Sequence, residues 1–250
     1  VHRSQKGGLT VLRAFGMSDL KSVRRDPLLV YMLVIPPLMV LLVRLILPRA
    51  TDYLSEGFGF DLVPYYPMLL SFFFVLQIPF LFGLLVGLLV LDERDYDTLT
   101  ALRVTPISMA GYAFYRGGAA VLLSFGYVLI TLPLTGLLSP SLLPAVAPIA
   151  LLSGLMAPLV ALILVVFAAN KVEGLALMKG LAVFMLGPLA AFFMDSSWQL
   201  LLGVLPTYWP TKAFWVAGEG GNLWPYILVG LIYNLLLLIL LLRRFEKKVF

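Results

Sequence analysis

The chain has 250 residues, of which 61% are hydrophobic and 12% are charged, whereas about a quarter of the residues of a soluble domain are charged. Together with a mean hydropathy of +1.00, this composition excludes an ordinary soluble fold. The absence of cysteine excludes disulfides, thiolate metal sites and a cysteine nucleophile, and the single histidine, His2, is too few for a histidine-based metal centre. We therefore expect neither a metal site nor catalytic residues.

The segment before the first apolar stretch, residues 1–27, predicts an amphipathic helix in the membrane interface. Its apolar residues fall on one side of a helical projection and its basic residues are displaced toward the other. Asp26–Pro27 then ends this helix. Two roles remain open, a membrane anchor or an elbow that carries motion into the first span. The residues that define the two sides are Leu9, Leu12, Leu20 and Val23, and Arg13, Lys21, Arg24 and Arg25.

Six apolar stretches are long enough to cross a bilayer as helices, which takes about 20 residues for a hydrocarbon core of ~30 Å. This pattern predicts an all-α membrane protein with six transmembrane helices in a single domain, residues 1–250. A secretory signal is not evident. The predicted spans are Leu28–Leu47, Pro67–Leu91, Gly117–Leu138, Ala145–Ala169, Leu175–Met194 and Trp224–Leu242.

The distribution of lysine and arginine predicts the orientation. Six spans place both termini on one side of the membrane, and all but three of the 18 basic residues fall on that side. The exceptions are Arg44, Arg49 and Lys212. Because basic residues favour the cytoplasmic side, both termini and the loop 92–116 are predicted to be cytoplasmic. The basic charge is thereby explained by topology, and we expect no nucleic-acid partner.

Charged residues interrupt the apolar sequence between the second and third spans. Acidic residues crowd the start of this insert, where a helix dipole favours them, and Thr105–Pro106 ends the predicted helix. Tyr96, Leu99 and Arg103 share one face, with Leu102 alongside. A solvated loop has no need of apolar residues on one face. The insert therefore favours a contact with a soluble cytoplasmic partner over a simple connecting loop.

Polar and small residues inside the spans are the remaining candidates. Gln77 and Asn234 lie at mid-span depth and favour interhelical hydrogen bonds over substrate contacts. Gly83 and Gly87 have the GxxxG spacing that permits close helix packing, either within the chain or at a dimer face. The predicted spans contain no Asp or Glu, which argues against an intramembrane hydrolase and an ion-coupled carrier.

Residues 195–223, before the sixth span, are only partly apolar and contain several prolines and glycines. They predict short interfacial or re-entrant helices on the extracellular side. Aromatic residues near this predicted outer boundary indicate a membrane-interface belt. These residues are Tyr65, Tyr66, Trp198, Tyr208, Trp209, Trp215 and Trp224.

The charged insert resembles the cytoplasmic coupling segment of the type-two permease class of ATP-binding-cassette (ABC) exporters. The six spans, the cytoplasmic ends and the helix before the first span agree with that class. Asp97 stands where many members carry glycine. The matching positions are Glu93, Arg94, Thr98, Leu99, Leu102, Thr105, Pro106, Ser108, Tyr112 and Arg116.

The resemblance implies that this chain is not itself an enzyme. In that class two permeases pair in the cell membrane and soluble ATPase subunits bind beneath them, pushing on coupling helices. The chain has no GxxxxGK[ST] loop, so ATP and magnesium are expected on a separate ATPase subunit. We expect an exporter of a lipophilic or amphipathic substrate, drug-like or lipid-like. The alternatives are a stand-alone secondary transporter and a membrane scaffold without a transport pathway.

Overall fold

The computed structural model describes residues 21–96, 109–194 and 196–249, and this part of the chain is nearly all helical. Residues 21–25 are helical, and Asp26 caps the next helix by accepting a hydrogen bond from the Leu28 amide at 2.9 Å. Most of the predicted interface helix, residues 1–20, lies outside the described residues. The longer helices are Pro27–Phe58, Tyr66–Leu70, Gln77–Asp95, Met109–Leu134, Leu143–Gly154, Met156–Phe167, Lys171–Leu181, Leu186–Phe192, Tyr208–Gly218 and Trp224–Val249.

Short stretches join several of these helices into continuous rods. They are the 3₁₀ turns Val63–Tyr65, Pro140–Leu142 and Ala182–Met185 and the π-helical stretch Ser71–Leu76. The 3₁₀-helix Ser197–Val204 is separate from these rods. Six rods within the described residues are long and apolar enough to cross a membrane, which confirms the predicted number of spans. We number them first to sixth: Pro27–Phe58, Val63–Asp95, Gly111–Leu134, Pro140–Phe167, Lys171–Phe192 and Trp224–Phe245.

The first span is longer than the sequence predicts. It continues past Leu47 to Phe58, a helix of 32 residues, and ends at Gly59, whose φ of 63° is left-handed. The sequence Pro48–Arg49 has the composition of a helix end, yet Pro48 lies inside this helix. A proline removes one backbone hydrogen bond without ending a membrane helix when neighbouring groups compensate.

The second and fourth spans form the centre of the helix bundle. Of the most apolar stretch of each, 83% and 78% of the residues are buried, against 17% to 28% in the other spans. The second span packs most extensively against the second half of the fourth, Met156–Phe167. The outer spans expose apolar side chains such as Leu41, Leu122 and Leu236, as expected for surfaces in contact with lipid.

The segment before the sixth span folds as a hairpin of two short helices, Ser197–Val204 and Tyr208–Gly218. The tip of the hairpin lies against the middle of two spans. The Thr207 hydroxyl donates to the Phe184 carbonyl of the fifth span at 3.1 Å, and the Tyr233 hydroxyl of the sixth span donates to the Val204 carbonyl. Tyr233 lies nine residues into its span, or about 14 Å along the helix axis.

The hairpin corrects part of the predicted aromatic belt. Tyr208 and Trp215, which the sequence places at the interface, are 0% and 5% exposed. The indole of Trp215 donates to the Ser71 hydroxyl of the second span at 2.9 Å. Both side chains are therefore structural contacts in the protein interior, because the helix that carries them packs among the spans instead of on the membrane surface.

Candidate coupling site

Polar and charged side chains from the ends of four spans meet at one end of the bundle, on either side of the insert between the second and third spans. We name this group the polar cluster. It consists of Asp26, Asp92, Glu93, Arg94, Asp95, Tyr112, Arg116 and Lys171.

Lys171, the first residue of the fifth span, joins three spans. Its ammonium nitrogen lies 2.8 Å from Asp26 at the start of the first span and 2.9 Å from Asp92 near the end of the second. Its backbone amide also donates to the Asp95 carboxylate at 3.0 Å. The three acidic side chains thus converge on the start of one helix, where the helix dipole favours negative charge.

The ion pair of Glu93 and Arg116 links the residues that flank the insert. Arg116 of the third span is 5% exposed, and its guanidinium pairs with the Glu93 carboxylate of the second span. The Tyr112 hydroxyl donates to the same carboxylate and accepts a hydrogen bond from Arg116 at 3.2 Å. Removing Glu93 from this hydrogen-bonded pair is costly because the buried charge of Arg116 is left uncompensated.

Arg94 binds the end of the fourth span. Its guanidinium donates to the carbonyl oxygens of Val165 and Ala168, both at 3.0 Å. Val165 belongs to the last turn of the helix that ends at Phe167, and Ala168 is its C-cap residue, so both carbonyls lie where intrahelical donors run out. A cation here also complements the negative end of the helix dipole. Arg94 therefore joins the second span to the fourth by a charge-assisted cap.

Asp26 is kept ionised by its surroundings. The hydrogen bond from Lys171 lowers the pKa of this carboxyl from its ordinary value of 3.8, and partial burial opposes the shift. The hydrogen bond from the Leu28 amide lowers the pKa further. The ion pair with Lys171 is therefore intact across the physiological pH range.

The structure describes three of the sequence-predicted coupling residues. Glu93 and Arg94 face other spans of the same chain, through the contacts given above, whereas the Tyr96 side chain is 80% exposed. The remaining coupling residues lie outside the described residues. They are Thr98, Leu99, Leu102, Arg103, Thr105 and Pro106.

Sequence reasoning missed the role of Lys171. The contact of Lys171 with Asp26 was not predicted, because the two residues lie 145 positions apart in sequence. The predicted topology could have indicated this contact. It places Asp26 and Lys171 on the same side of the membrane, where opposite charges at the ends of different spans can pair. Tyr112 and Arg116 belong to the recognised motif, but their contact with Glu93 was not anticipated.

The predicted polar and glycine positions lie in the bundle interior. Asn234 is 0% exposed, and neither its oxygen nor its nitrogen has a hydrogen-bond partner in the part of the chain that the structure describes. Gln77 is half-buried where the π-helical stretch ends.

Gly83 and Gly87 face the fourth span: a Cβ at Gly83 would lie 2.5 Å from the Ala157 carbonyl oxygen. Within residues 21–96, 109–194 and 196–249 no three acidic or histidine side chains are grouped to hold a metal ion.

The six apolar spans, with the polar cluster at one end of their bundle, define a multi-pass membrane protein. The family model described as "Fluoroquinolones export permease protein Rv2686c-like" matches residues 19–242. The chain belongs to this family, and with it to the permeases of ABC exporters.

Two relatives match over nearly their whole length. The fluoroquinolones export permease proteins Rv2686c, from Mycobacterium tuberculosis strain H37Rv, and MT2760, from strain CDC 1551, are each 40% identical to this chain over 246 residues. The match covers 98% of this chain and 98% of each relative. No solved structure gives a significant match. The chain is thus a membrane permease of an exporter.

Proposed function

We propose that this chain is the transport subunit of an ATP-driven ABC exporter, and that the insert between the second and third spans is its contact with a separate ATPase. The observation that carries the proposal is the pairing of Glu93 with Arg116 and Tyr112, in a chain that matches export permeases over 98% of its length. This pairing fastens both flanks of residues 97–108 to the bundle.

The polar cluster supplies a route from the insert to the spans. On the side before the insert, Arg94 and Asp95 bind the fourth and fifth spans. On the side after it, Arg116 and Tyr112 bind back to the second span. A displacement of the insert is therefore transmitted to several spans at once, which is what a soluble motor needs in order to move a membrane pathway.

The remaining parts of the proposed transporter lie on other chains. ATP and magnesium bind to the soluble ATPase, and a second permease, identical or not, completes the transport unit in the cell membrane. Both termini face the cytoplasm, as the distribution of basic residues predicts. The transport direction is outward.

The substrate we propose is a lipophilic or amphipathic compound, drug-like or lipid-like. The few polar groups in the spans favour such a compound over a polyanion. Because the two mycobacterial relatives are named for fluoroquinolones, these compounds are the first substrates to test. Cells that express the chain with its ATPase are expected to accumulate less of a fluorescent fluoroquinolone than cells without it.

The contact with the ATPase is tested by purifying the tagged chain in mild detergent and assaying ATPase activity in whatever co-elutes. We expect a soluble ATPase to co-purify, and Leu99→Ala to abolish its recovery while the permease still inserts and keeps its melting temperature. The matched control is Leu200→Ala, at an exposed leucine outside the polar cluster, which is expected to change nothing. Normal ATPase recovery with Leu99→Ala would refute the assigned contact.

A charge swap separates the two roles open to Glu93. Glu93→Arg alone is expected to abolish transport because it faces Arg116. If Glu93 acts through that ion pair, the double variant Glu93→Arg/Arg116→Glu regains part of the transport. If Glu93 binds the ATPase directly, the swap restores nothing, and the intrachain role is wrong.

The same preparations distinguish the alternative functions. Transport driven by an ion gradient in vesicles that contain only this chain would identify a stand-alone secondary transporter. A stable partner without any substrate movement would identify a scaffold subunit. Either result would replace the exporter proposal.

A further inference from the structure

An open groove of about 670 Å³ runs between the fourth, fifth and sixth spans. Its walls are almost wholly apolar, with Ile163, Met185 and Leu237 as representatives of the three spans. One end of the groove is closed by the tip of the short-helix hairpin, and the other end opens beside Arg243 and Arg244. It is separate from the polar cluster, whose residues do not line it.

The length of the groove corresponds to one leaflet of a bilayer. Tyr233 lines it at the closed end and Arg243 at the open end, ten residues apart on the same helix. At 1.5 Å per residue the two are separated by about 15 Å, half of a hydrocarbon core of ~30 Å. The groove therefore runs from mid-membrane depth to the headgroup level on the side of the sixth span's C-terminal end.

Among the described residues, the charge at the open end is positive. Arg243 and Arg244 are both exposed, and neither has an ion-pair partner among the described residues. The described lining residues include no Asp or Glu. Adjacent guanidinium groups at headgroup depth suit a phosphate, to which arginine donates in a bidentate manner.

We propose that this groove binds an anionic phospholipid, with one acyl chain between the fifth and sixth spans and the phosphate on Arg243 and Arg244. A transmembrane helix of a second copy fits less well, because the predicted spans contain no Asp or Glu that could pair with the two arginines. An extended acyl chain matches both the length and the apolar walls, and the two arginines select an acidic headgroup.

The test uses the full chain in nanodiscs with acyl-spin-labelled phosphatidylglycerol or phosphatidylcholine, read by electron paramagnetic resonance. We expect a motionally restricted component with a preference for phosphatidylglycerol on the order of tenfold, from two arginines near the surface. Arg243→Gln/Arg244→Gln is expected to reduce the preference to that of phosphatidylcholine. The matched control is Arg24→Gln/Arg25→Gln, which removes two adjacent, exposed arginines that do not line the groove.

A second variant tests the acyl-chain part of the site. Leu237→Trp places a bulky side chain in the groove and is expected to reduce the restricted component for both lipids, with normal melting as the check on folding. Equal restriction of the two lipids, or equal loss of the preference in the Arg24→Gln/Arg25→Gln control, would overturn the proposal. So would efficient crosslinking of Leu240→Cys between two copies, because the groove would then be covered by protein.

Discussion

The packing of Gly83 against the fourth span yields a stability prediction whose size follows from the geometry. A Cβ at Gly83 would lie 2.5 Å from the Ala157 carbonyl oxygen and 2.7 Å from the Val160 Cβ. Neither atom can rotate away, so Gly83→Ala requires the two helices to separate. Overpacking of this kind costs about 1–3 kcal/mol, and the two close contacts with fixed atoms of the fourth span place Gly83→Ala at about 2–3 kcal/mol.

Substitutions at two further glycines are expected to have smaller effects and serve as comparisons for Gly83→Ala. At Gly87 the nearest atom is the flexible end of Leu164 at 2.8 Å, so Gly87→Ala is expected to cost about 1 kcal/mol. At Gly126 of the third span, the position that a Cβ would occupy has no neighbouring atom within 4 Å among the described residues. Gly126→Ala is therefore expected to be neutral or slightly stabilising.

The assay is thermal unfolding in detergent, followed by the fluorescence of the four tryptophans. For a chain of this size 1 kcal/mol corresponds to roughly 2–4 °C, so Gly83→Ala should melt about 4–12 °C lower. Equal melting temperatures for Gly83→Ala and Gly126→Ala would refute the packing argument. Loss of a dimer with unchanged melting of the monomer would instead place this glycine face at a dimer interface.

Three other predictions concern the polar side chains Lys171, Asp26 and Asn234. Lys171→Met should lower the melting temperature by about 5 °C, because two partly exposed ion pairs together contribute about 1–2 kcal/mol, while Lys179→Met, at an exposed position, should have no effect. Because the pKa of Asp26 is lowered, its contribution to stability is present above pH 3.8 and is lost as the pH falls through the folded-state pKa. In Asp26→Asn this part of the acid destabilisation should be missing from the unfolding curves. Asn234→Leu should raise the melting temperature, since it removes a buried amide without partners among the described residues; a lower melting temperature would contradict the absence of a hydrogen bond.

The spans were predictable from sequence because each is an apolar run of the required length, a property that needs no knowledge of neighbours. The end of the first span was not predictable in this way. Pro48 and Arg49 have the composition of a helix end, but the helix continues to Phe58. Propensity describes an isolated segment, whereas the structure compensates a proline through its surroundings.

The sequence identified some residues of the polar cluster but did not predict which residues they contact. Glu93 and Arg94 were identified from the motif, but a motif does not show that Arg94 caps the fourth span or that Glu93 binds Arg116. Such pairings depend on which spans are adjacent, and the sequence pattern gives only the side of the membrane on which each charge lies. The same limit explains why the burial of Trp215 was missed.

The second and fourth spans are in contact at two positions along their length. These contacts determine which spans move together when the insert is displaced. Arg94 binds the end of the fourth span, and the Gly83 contact with Ala157 lies eleven residues away on the second span, or about 16 Å. The first span has few contacts with this pair and is joined to the polar cluster through Asp26. We therefore expect the second and fourth spans to move as one unit, with the first span moving relative to it.

Spin labels can test this expectation directly because the chain has no native cysteine. The exposed residues Val63 and Leu143 mark the second and fourth spans, and Leu45 marks the first. On addition of ATP to the complex with its ATPase, the distance from Val63→Cys to Leu143→Cys should stay constant, while that from Leu45→Cys to Leu143→Cys should change. A change of similar size in both distances would mean that the contacts of Arg94 and Gly83 do not keep the second and fourth spans together when ATP is added.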